Sequence, residues 1–392
     1  MARGAGGPSV SSSVAVTSVE QLAAVITDAN RSKSPLRVAA GAHWLDAGRP
    51  VDAGQQVDLA TLQGVVEYTP GDLTLTALSG TSLTDLDAAT RAHGQWITLD
   101  PHGSRSGTLG ATLATASSGP LAASFGTPRD IALGLTFVNG EGEVIRAGGR
   151  VVKNVAGFDL VRLLIGAWGT LGVLTEATVR VRAVPAMDLT VHAVVPSGRA
   201  ELAERLRAYR DAPTTPLAIQ LVNGTLSHAI GLGRNPLLLV RLAGNAASVA
   251  AQRDILHRIA SLEDAPSDVW SKLAEWNDAG CRTLRISTRP SELSGLWLEV
   301  VHQLGSDGVA LSAVVTRGTI RVAAPPGHDQ ALRAMIASLP VGTSVVLERV
   351  PNDLWTAQHR PADVLSRRVR QAFDPNRILN RGILGLDEGA AS

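Results

Sequence analysis

The chain has 392 residues, enough for two domains of ordinary size, and its 45% hydrophobic and 18% charged content suits a soluble globular protein. A net charge of +1 without any basic block gives no sign of a nucleic-acid groove. The lone cysteine, Cys281, rules out an internal disulfide or a cysteine metal cluster. No stretch approaches the roughly 18 apolar residues of a membrane span, so the expected location is cytoplasmic, with any membrane association made through a partner.

The first residues are rich in glycine, serine and proline and lack the apolar stretch of a secretory signal, so 1–15 is expected to be a disordered tail. Residues 17–29 have helical spacing, with Thr17 or Ser18 as cap and Glu20 or Gln21 completing a box. A strand over 36–40 then runs into Gly41-Ala42-His43-Trp44-Leu45-Asp46-Ala47-Gly48. A strand feeding such a loop lines up backbone N–H groups in a nest suited to a diphosphate. It is not the dinucleotide fingerprint, because no helix with a third glycine follows. Short strands are expected at 57–59, 64–68 and 73–77, and a helix at 84–93. This mixture argues against a doubly wound sheet.

From Ser106 to Gly119 nearly every residue is small. Such a run lets a large planar ligand lie along the backbone, and it equally suits a helix packed tightly on a sheet. A turn at 125–130, a strand at 133–138 and a hairpin through Asn139-Gly140 to 144–146 follow. The stretch 150–176 sets Gly157, Gly166, Gly169 and Gly172 between apolar runs, a pattern that permits close backbone approach to a ligand. Lys153 lies inside it, although only three of the 36 basic residues are lysines. It is either a compact charge facing a ligand or a solvated surface residue.

Beyond Pro185 the expected elements are strands at 189–195, 217–222, 228–232, 237–242, 283–287, 308–312, 319–323 and 343–348. Helices are expected at 197–209, 247–260, 291–303 and 328–338. This order suits an antiparallel sheet with helices on one face, with a weak internal duplication. None of the nine histidines forms a His-X-His or His-Glu-X-X-His pair, so no metal site is readable. Arg285, Arg321 and Arg349, on or ending these strands, are candidates for bidentate contact with a small carboxylate. Glu348 and His359 are weaker candidates.

Lys153-Asn154-Val155-Ala156-Gly157-Phe158-Asp159-Leu160 and Gly169-Thr170-Leu171-Gly172-Val173-Leu174-Thr175-Glu176 resemble the FAD-binding fold of the vanillyl-alcohol oxidase and p-cresol methylhydroxylase (PCMH) superfamily, and within it the FAD-binding subunits of glycolate oxidases. Thr108 to Pro120 resembles that family's second flavin loop, and Ala39 to Pro50 its first. The resemblance covers about 17–183 and a short C-terminal stretch around Phe373-Asp374-Pro375. It implies an α+β fold: a PCMH-type FAD-binding domain over 16–184, an α+β cap over 185–363, and a segment 364–392 returning to the first domain. FAD would lie extended, with its isoalloxazine at the junction. Ala40, Gly41, Ala42 and His43 would hold the diphosphate. Pro101, Thr108, Gly110, Ala111, Thr115, Ser118 and Gly119 would line the ribityl and flavin. Lys153, Gly169, Gly172, Val173 and Asn380 would meet the cofactor too. Asn380-Arg381-Gly382 departs from the family's Asn-Pro-Gly-Arg.

Two functions follow from the resemblance. One is oxidation of glycolate or a related 2-hydroxyacid in a complex with a second FAD-binding subunit and an iron–sulfur subunit. The other is a FAD-binding or assembly subunit whose partner does the oxidation. Superfamily 2-hydroxyacid dehydrogenases carry a cap histidine cluster that this chain lacks, which leaves no obvious base for the hydroxyl proton.

Overall fold

The computed structural model describes residues 12–41, 44–149, 158–276, 280–305, 308–356 and 363–385. Its first half is built from two sheets. A parallel three-stranded sheet, in the order Ser12–Ala15, Gln55–Asp58, Leu36–Ala39, packs under the helix Val19–Ser32. The helix starts as its sequence dictates. Ser18 accepts the N–H of Gln21 at 3.1 Å, and the Gln21 side chain accepts that of Thr17 at 2.9 Å. Leu22 and Ile26, one turn apart, are fully buried against the sheet. Strand Ser12–Ala15 corrects the expected tail. The chain there is Ser-Ser-Val-Ala, and pairing with Gln55–Asp58 completes a sheet edge while Val14 packs on the core.

The second sheet is antiparallel, in the order Val65–Thr69, Thr74–Leu78, Val173–Arg180, Ala132–Val138, Val144–Gly148. Helices Leu83–Arg91, Leu109–Thr115 and Leu160–Leu164 share its core.

The second half forms one antiparallel sheet of eight strands. Its order is Glu263–Asp264, Met187–Val194, Leu237–Gly244, Ala218–Val222, Ala310–Val314, Thr319–Ala324, Arg282–Ser287, Ser344–Arg349. Within each group of four the strands run 4-1-3-2, and the two groups meet through their second strands, Ala218–Val222 and Ala310–Val314. Each group is thus a split βαβ unit, which is the structural form of the weak duplication.

Side chains alternate across this sheet as the pleat requires. Ile219, Leu221, Val240, Leu311 and Val322 point to one face, which the helices Arg199–Asp211, Ala246–His257, Leu293–Leu304 and Asp329–Ser338 cover. Gln220, Arg241, Ser312 and Arg321 point the other way. Two shorter helices, Gly224–Ala229 and Val269–Glu275, sit on that second face with Val222, Leu239 and Ala310. The first of them replaces the strand expected at 228–232. Asn223 caps it by accepting the N–H of Leu226 at 3.1 Å, and Leu226 and Ile230, four apart, bury together.

The C-terminal helix Val364–Phe373 leads the chain back to the first half, where Leu379 pairs with Leu36. Asp374, fully buried, organises the turn: its carboxylate accepts the N–H groups of Ile378 at 3.0 Å and Leu379 at 2.9 Å. Removing an acceptor from two buried amides costs about 3 kcal/mol. Asp374→Ala is therefore expected to lower the denaturation midpoint clearly, with an unchanged m-value; a midpoint equal to the parent's would contradict this role.

Candidate active site

A groove of about 650 Å³ runs between Val38–Gly41, the small-residue helix Leu109–Thr115 and the turn at Trp168–Gly169. One hydroxyl ties two of these walls. Thr108 Oγ1 accepts the N–H of Ala111 at 3.2 Å, capping the helix, and donates to the Ala40 carbonyl at 3.1 Å. Gly110 is required by contact: a Cβ there would stand 2.6 Å from that of Ser79. Its absence lets the helix seat on Ser79, whose carbonyl accepts the Gly110 N–H at 2.7 Å. The far end is closed by Asn380, which accepts the Val38 N–H at 2.8 Å and donates to the Trp168 carbonyl at 2.7 Å.

Two features fit this groove to a long ligand with polar edges. Ser79 Oγ is buried on the wall with no hydrogen-bond partner among the described residues. The helix face opposite presents Gly110, Ala111, Ala114 and Thr115, none bulky enough to obstruct a flat group. These residues suit FAD.

Nine expected cofactor residues line the groove. Ala40, Gly41, Gly110, Ala111 and Thr115 come from its first two walls, and Gly169, Gly172, Val173 and Asn380 from the others. Thr108 holds the walls without lining them. Gly119 lines a second cavity instead, while Pro101 and Ser118 lie beside residues of that cavity and on neither wall. Ala42, His43 and Lys153 fall outside the described residues, as does His359.

The second cavity, about 630 Å³, opens between the loops 100–103 and 117–121 of the first half and the second face of the eight-stranded sheet. Arg321 reaches it from the sheet, beside Gln220, Ser312 and Arg241. Trp270 closes one side, its indole N–H donating to Thr190 Oγ1 at 2.7 Å, and the Arg241 guanidinium lies between Trp96 and Trp270.

Behind the wall, Glu348 bridges two arginines. Its Oε2 accepts from Arg321 Nη1 at 2.6 Å, and its Oε1 is 2.7 Å from Arg285 Nε. Burial would raise this carboxyl, but the guanidinium groups of Arg321, Arg285 and Arg349 hold it at about 2. The Glu348 carboxylate is thus shared between two guanidinium groups. Among the described residues Arg321 Nη2 is buried with no hydrogen-bond partner, and so is Gln220 Oε1 in the same cavity. A buried cation with an open donor and a neighbouring open amide fits a small anion with further polar groups.

The three arginine candidates thus separate. Arg321 lines the cavity, and Arg285 stands behind it in the ion cluster. Arg349 instead fastens the first loop to the cap edge. Its Nε donates to Asp46 Oδ1 at 2.8 Å, its guanidinium lies 4.7 Å from the Trp44 ring, and the Gly48 N–H donates to the Glu348 carbonyl at 2.7 Å.

His102 and Asp100 line the same cavity from the first half. Burial, then the Arg321 charge, pushes the His102 ring well below the usual 6.5, against the smaller opposing pull of Glu348. Burial raises Asp100 to about 7, though its oxygens accept the N–H groups of Gly119 and Leu121 at 3.1 and 2.6 Å. His102 was not singled out from sequence, because histidines were read there as close-spaced pairs and its neighbours Arg321 and Glu348 come from the far half of the chain. The only local signal was its place in Pro101-His102-Gly103, just ahead of the small-residue run. Among the described residues no cluster of three potential metal ligands forms, and no helix is long and apolar enough to cross a membrane.

Comparison with known proteins shows the family and the fold. Residues 11–148 match the family model described as "FAD binding domain". Glycolate oxidase subunit GlcE of Escherichia coli is 33% identical over 259 residues, 66% of this chain and 67% of that protein. Glycolate oxidase subunit GlcD of Bacillus subtilis is 29% identical over 182 residues, and D-lactate dehydrogenase of Archaeoglobus fulgidus is 33% identical over 178. The matched segment spans 39% of each of these two longer relatives. In fold, p-cresol methylhydroxylase with substrate bound superposes with a TM-score of 0.77 over 97% of this chain and 90% of its own, at 16% identity.

Proposed function

Because the chain belongs to the GlcE family of FAD-linked oxidoreductases, we propose that it oxidises glycolate or a related 2-hydroxyacid to the 2-oxoacid, as one subunit of a complex with a second FAD-binding subunit and an iron–sulfur subunit. In this reading residues 16–184 hold the cofactor, 185–363 present the substrate face, and 364–392 return to the groove through Asn380. The groove residues Ala40, Gly41, Ala111, Thr115 and Gly169 would hold FAD by backbone and small side chains. When bound, FAD supplies the acceptor for the two electrons removed from the substrate.

The observation that carries the reading is the open Nη2 of Arg321. A 2-hydroxyacid has one carboxylate, and Arg321 offers it a buried donor already oriented by Glu348. Ser312, on the adjacent strand, offers a hydroxyl to a second carboxylate oxygen, and Gln220 Oε1 an acceptor for a further polar group of the ligand. Substrate oxidation by this chain itself is favoured over a purely assembling role because Arg321 offers a small anion an open, buried donor in this cavity.

The test begins with the visible spectrum of the purified chain, which is expected to show flavin. Anaerobic glycolate, and then larger 2-hydroxyacids, are expected to bleach it. Arg321→Gln is expected to raise KM by about 10²-fold at unchanged flavin content, and Arg321→Lys to recover part of the loss. Flavin that stays oxidised alone, and bleaches only when the partner subunits are added, would assign the oxidation to the partner.

A further inference from the structure

We propose that His102, carried by the FAD-binding half and not by the cap, accepts the hydroxyl proton of the 2-hydroxyacid. The assignment rests on the reading above and goes beyond it, since the missing cap histidine cluster had left that proton without a destination.

The geometry narrows the choice. His102 lines the same cavity as Arg321 and Gln220, from the side of the first half. A carboxylate seated on Arg321 therefore places the rest of a small substrate between the sheet and His102. Among the described residues no protein group hydrogen-bonds the His102 ring, and only its backbone N–H is engaged, donating to Ser117 Oγ at 3.3 Å. The other candidates each already have protein partners. Glu348 is fastened to two guanidinium groups and is too weak a base. Both oxygens of Asp100 already accept backbone N–H groups. Arg241 is held by Asp188 through bonds of 2.6 to 3.1 Å.

The charges that face the ring support a neutral imidazole. Arg321, Arg285 and Arg349 oppose its protonation, Glu348 favours it, and burial opposes it most. Asp100 and Arg241 complete the charged groups of the cavity. A neutral imidazole has the free lone pair that proton acceptance needs.

The step balances. The substrate O–H bond breaks and its proton passes to the unprotonated ring nitrogen of His102. The Cα–H bond breaks, its hydrogen leaving with the electron pair to bound FAD, the two-electron oxidant. The oxygen lone pair closes the C=O bond, so the acid is oxidised by two electrons and FAD is reduced by two.

The test compares wild type with His102→Gln in the FAD-loaded chain. The variant is expected to keep its flavin content and to bind oxalate, read from the flavin spectrum, within about threefold, while flavin reduction at saturating 2-hydroxyacid slows about 10²–10⁴-fold. In wild type the reduction rate is expected to fall only well below pH 6.5, where His102 protonates, and this limb is expected to vanish in the variant. The ring resonance missing from the variant's histidine NMR spectrum is expected to titrate in that same low range. Reduction within a few-fold of wild type, a persistent low-pH limb, or a His102 ring titrating at 6.5 or above would each overturn the assignment alone. A variant that loses flavin or oxalate affinity would overturn it in favour of a structural role. Wild type that no 2-hydroxyacid reduces would overturn the oxidase reading and this assignment together.

Discussion

Glu348→Ala is expected to lower the unfolding free energy by about 3–5 kcal/mol, because it leaves the buried Arg321 guanidinium and the part-buried Arg285 guanidinium side by side without their carboxylate. Arg321 and Glu348 are both nearly inaccessible, with side chains 8% and 4% exposed, so solvent cannot replace the lost partner. The same cluster predicts acid sensitivity. The folded protein holds Glu348 at about 2 against an ordinary value of 4.5. A carboxyl depressed on folding stabilises fully above its unfolded pKa, and that contribution is lost as pH falls through the folded one. Stability is therefore expected to decline from about pH 5 toward pH 2, by about 3 kcal/mol from this group. Urea denaturation at pH 7 and at pH 3 measures both effects. The variant should be much weaker at pH 7 and closer to the parent at pH 3; an equal deficit at both would show that the carboxylate's charge is not what matters. The double change Arg321→Met with Glu348→Leu is expected to regain much of the stability and none of the substrate binding. That outcome would mean the cluster is kept for the site more than for the fold.

Ala111→Phe is expected to cut flavin content to below about a tenth of the parent's while leaving the chain folded. Ala111 lies on the groove side of the helix Leu109–Thr115 and is only partly buried, so a phenyl ring there enters the groove without displacing the core beneath. The residues that pack inward, Leu109 and Leu113, are untouched. An extended cofactor makes its affinity from many small contacts, and a ring of this size removes a block of them at once. The ratio of flavin to protein absorbance measures the effect, and the thermal midpoint without added FAD checks the fold. Ala88→Phe, on an exposed helix position outside the groove, is the control. Flavin retained in Ala111→Phe would remove this groove from the cofactor site.

The helix Leu109–Thr115 illustrates how far local chemistry reaches. The run of small residues 106–119 suits either a planar ligand along the backbone or a helix packed on a sheet, and the structure makes 109–115 a helix, capped by Thr108, with its small face on the groove. Residues 12–15 show the opposite. Ser-Ser-Val-Ala has no signal of its own, and it becomes a strand because Gln55–Asp58 offers an open edge. His228 to Leu232 reads as alternating in isolation, yet Asn223 and the packing of Leu226 and Ile230 make that region the end of a helix.

The stretch 150–176 bears the same division. Its Gly169-Thr170-Leu171-Gly172 segment implies a flavin through its family resemblance, and its glycines meet local backbone needs that other residues would not. Gly169 takes a φ of +68°, and a Cβ on Gly172 would lie 2.5 Å from the Phe137 ring. The α+β elements could be read from turn, cap and alternation signals, which act over a few neighbours, and the cofactor class from the family resemblance that this stretch carries. The site for the reacting molecule could not. Arg321 was one of three equivalent-looking arginines on cap strands, and His102 one histidine among nine. Only the packing of the eight-stranded sheet against the loops 100–103 and 117–121 separates Arg321 from Arg285 and Arg349 and brings His102 opposite it. Burial and charge between distant segments exist only once the chain has folded, and they are what decide which of these groups does chemistry.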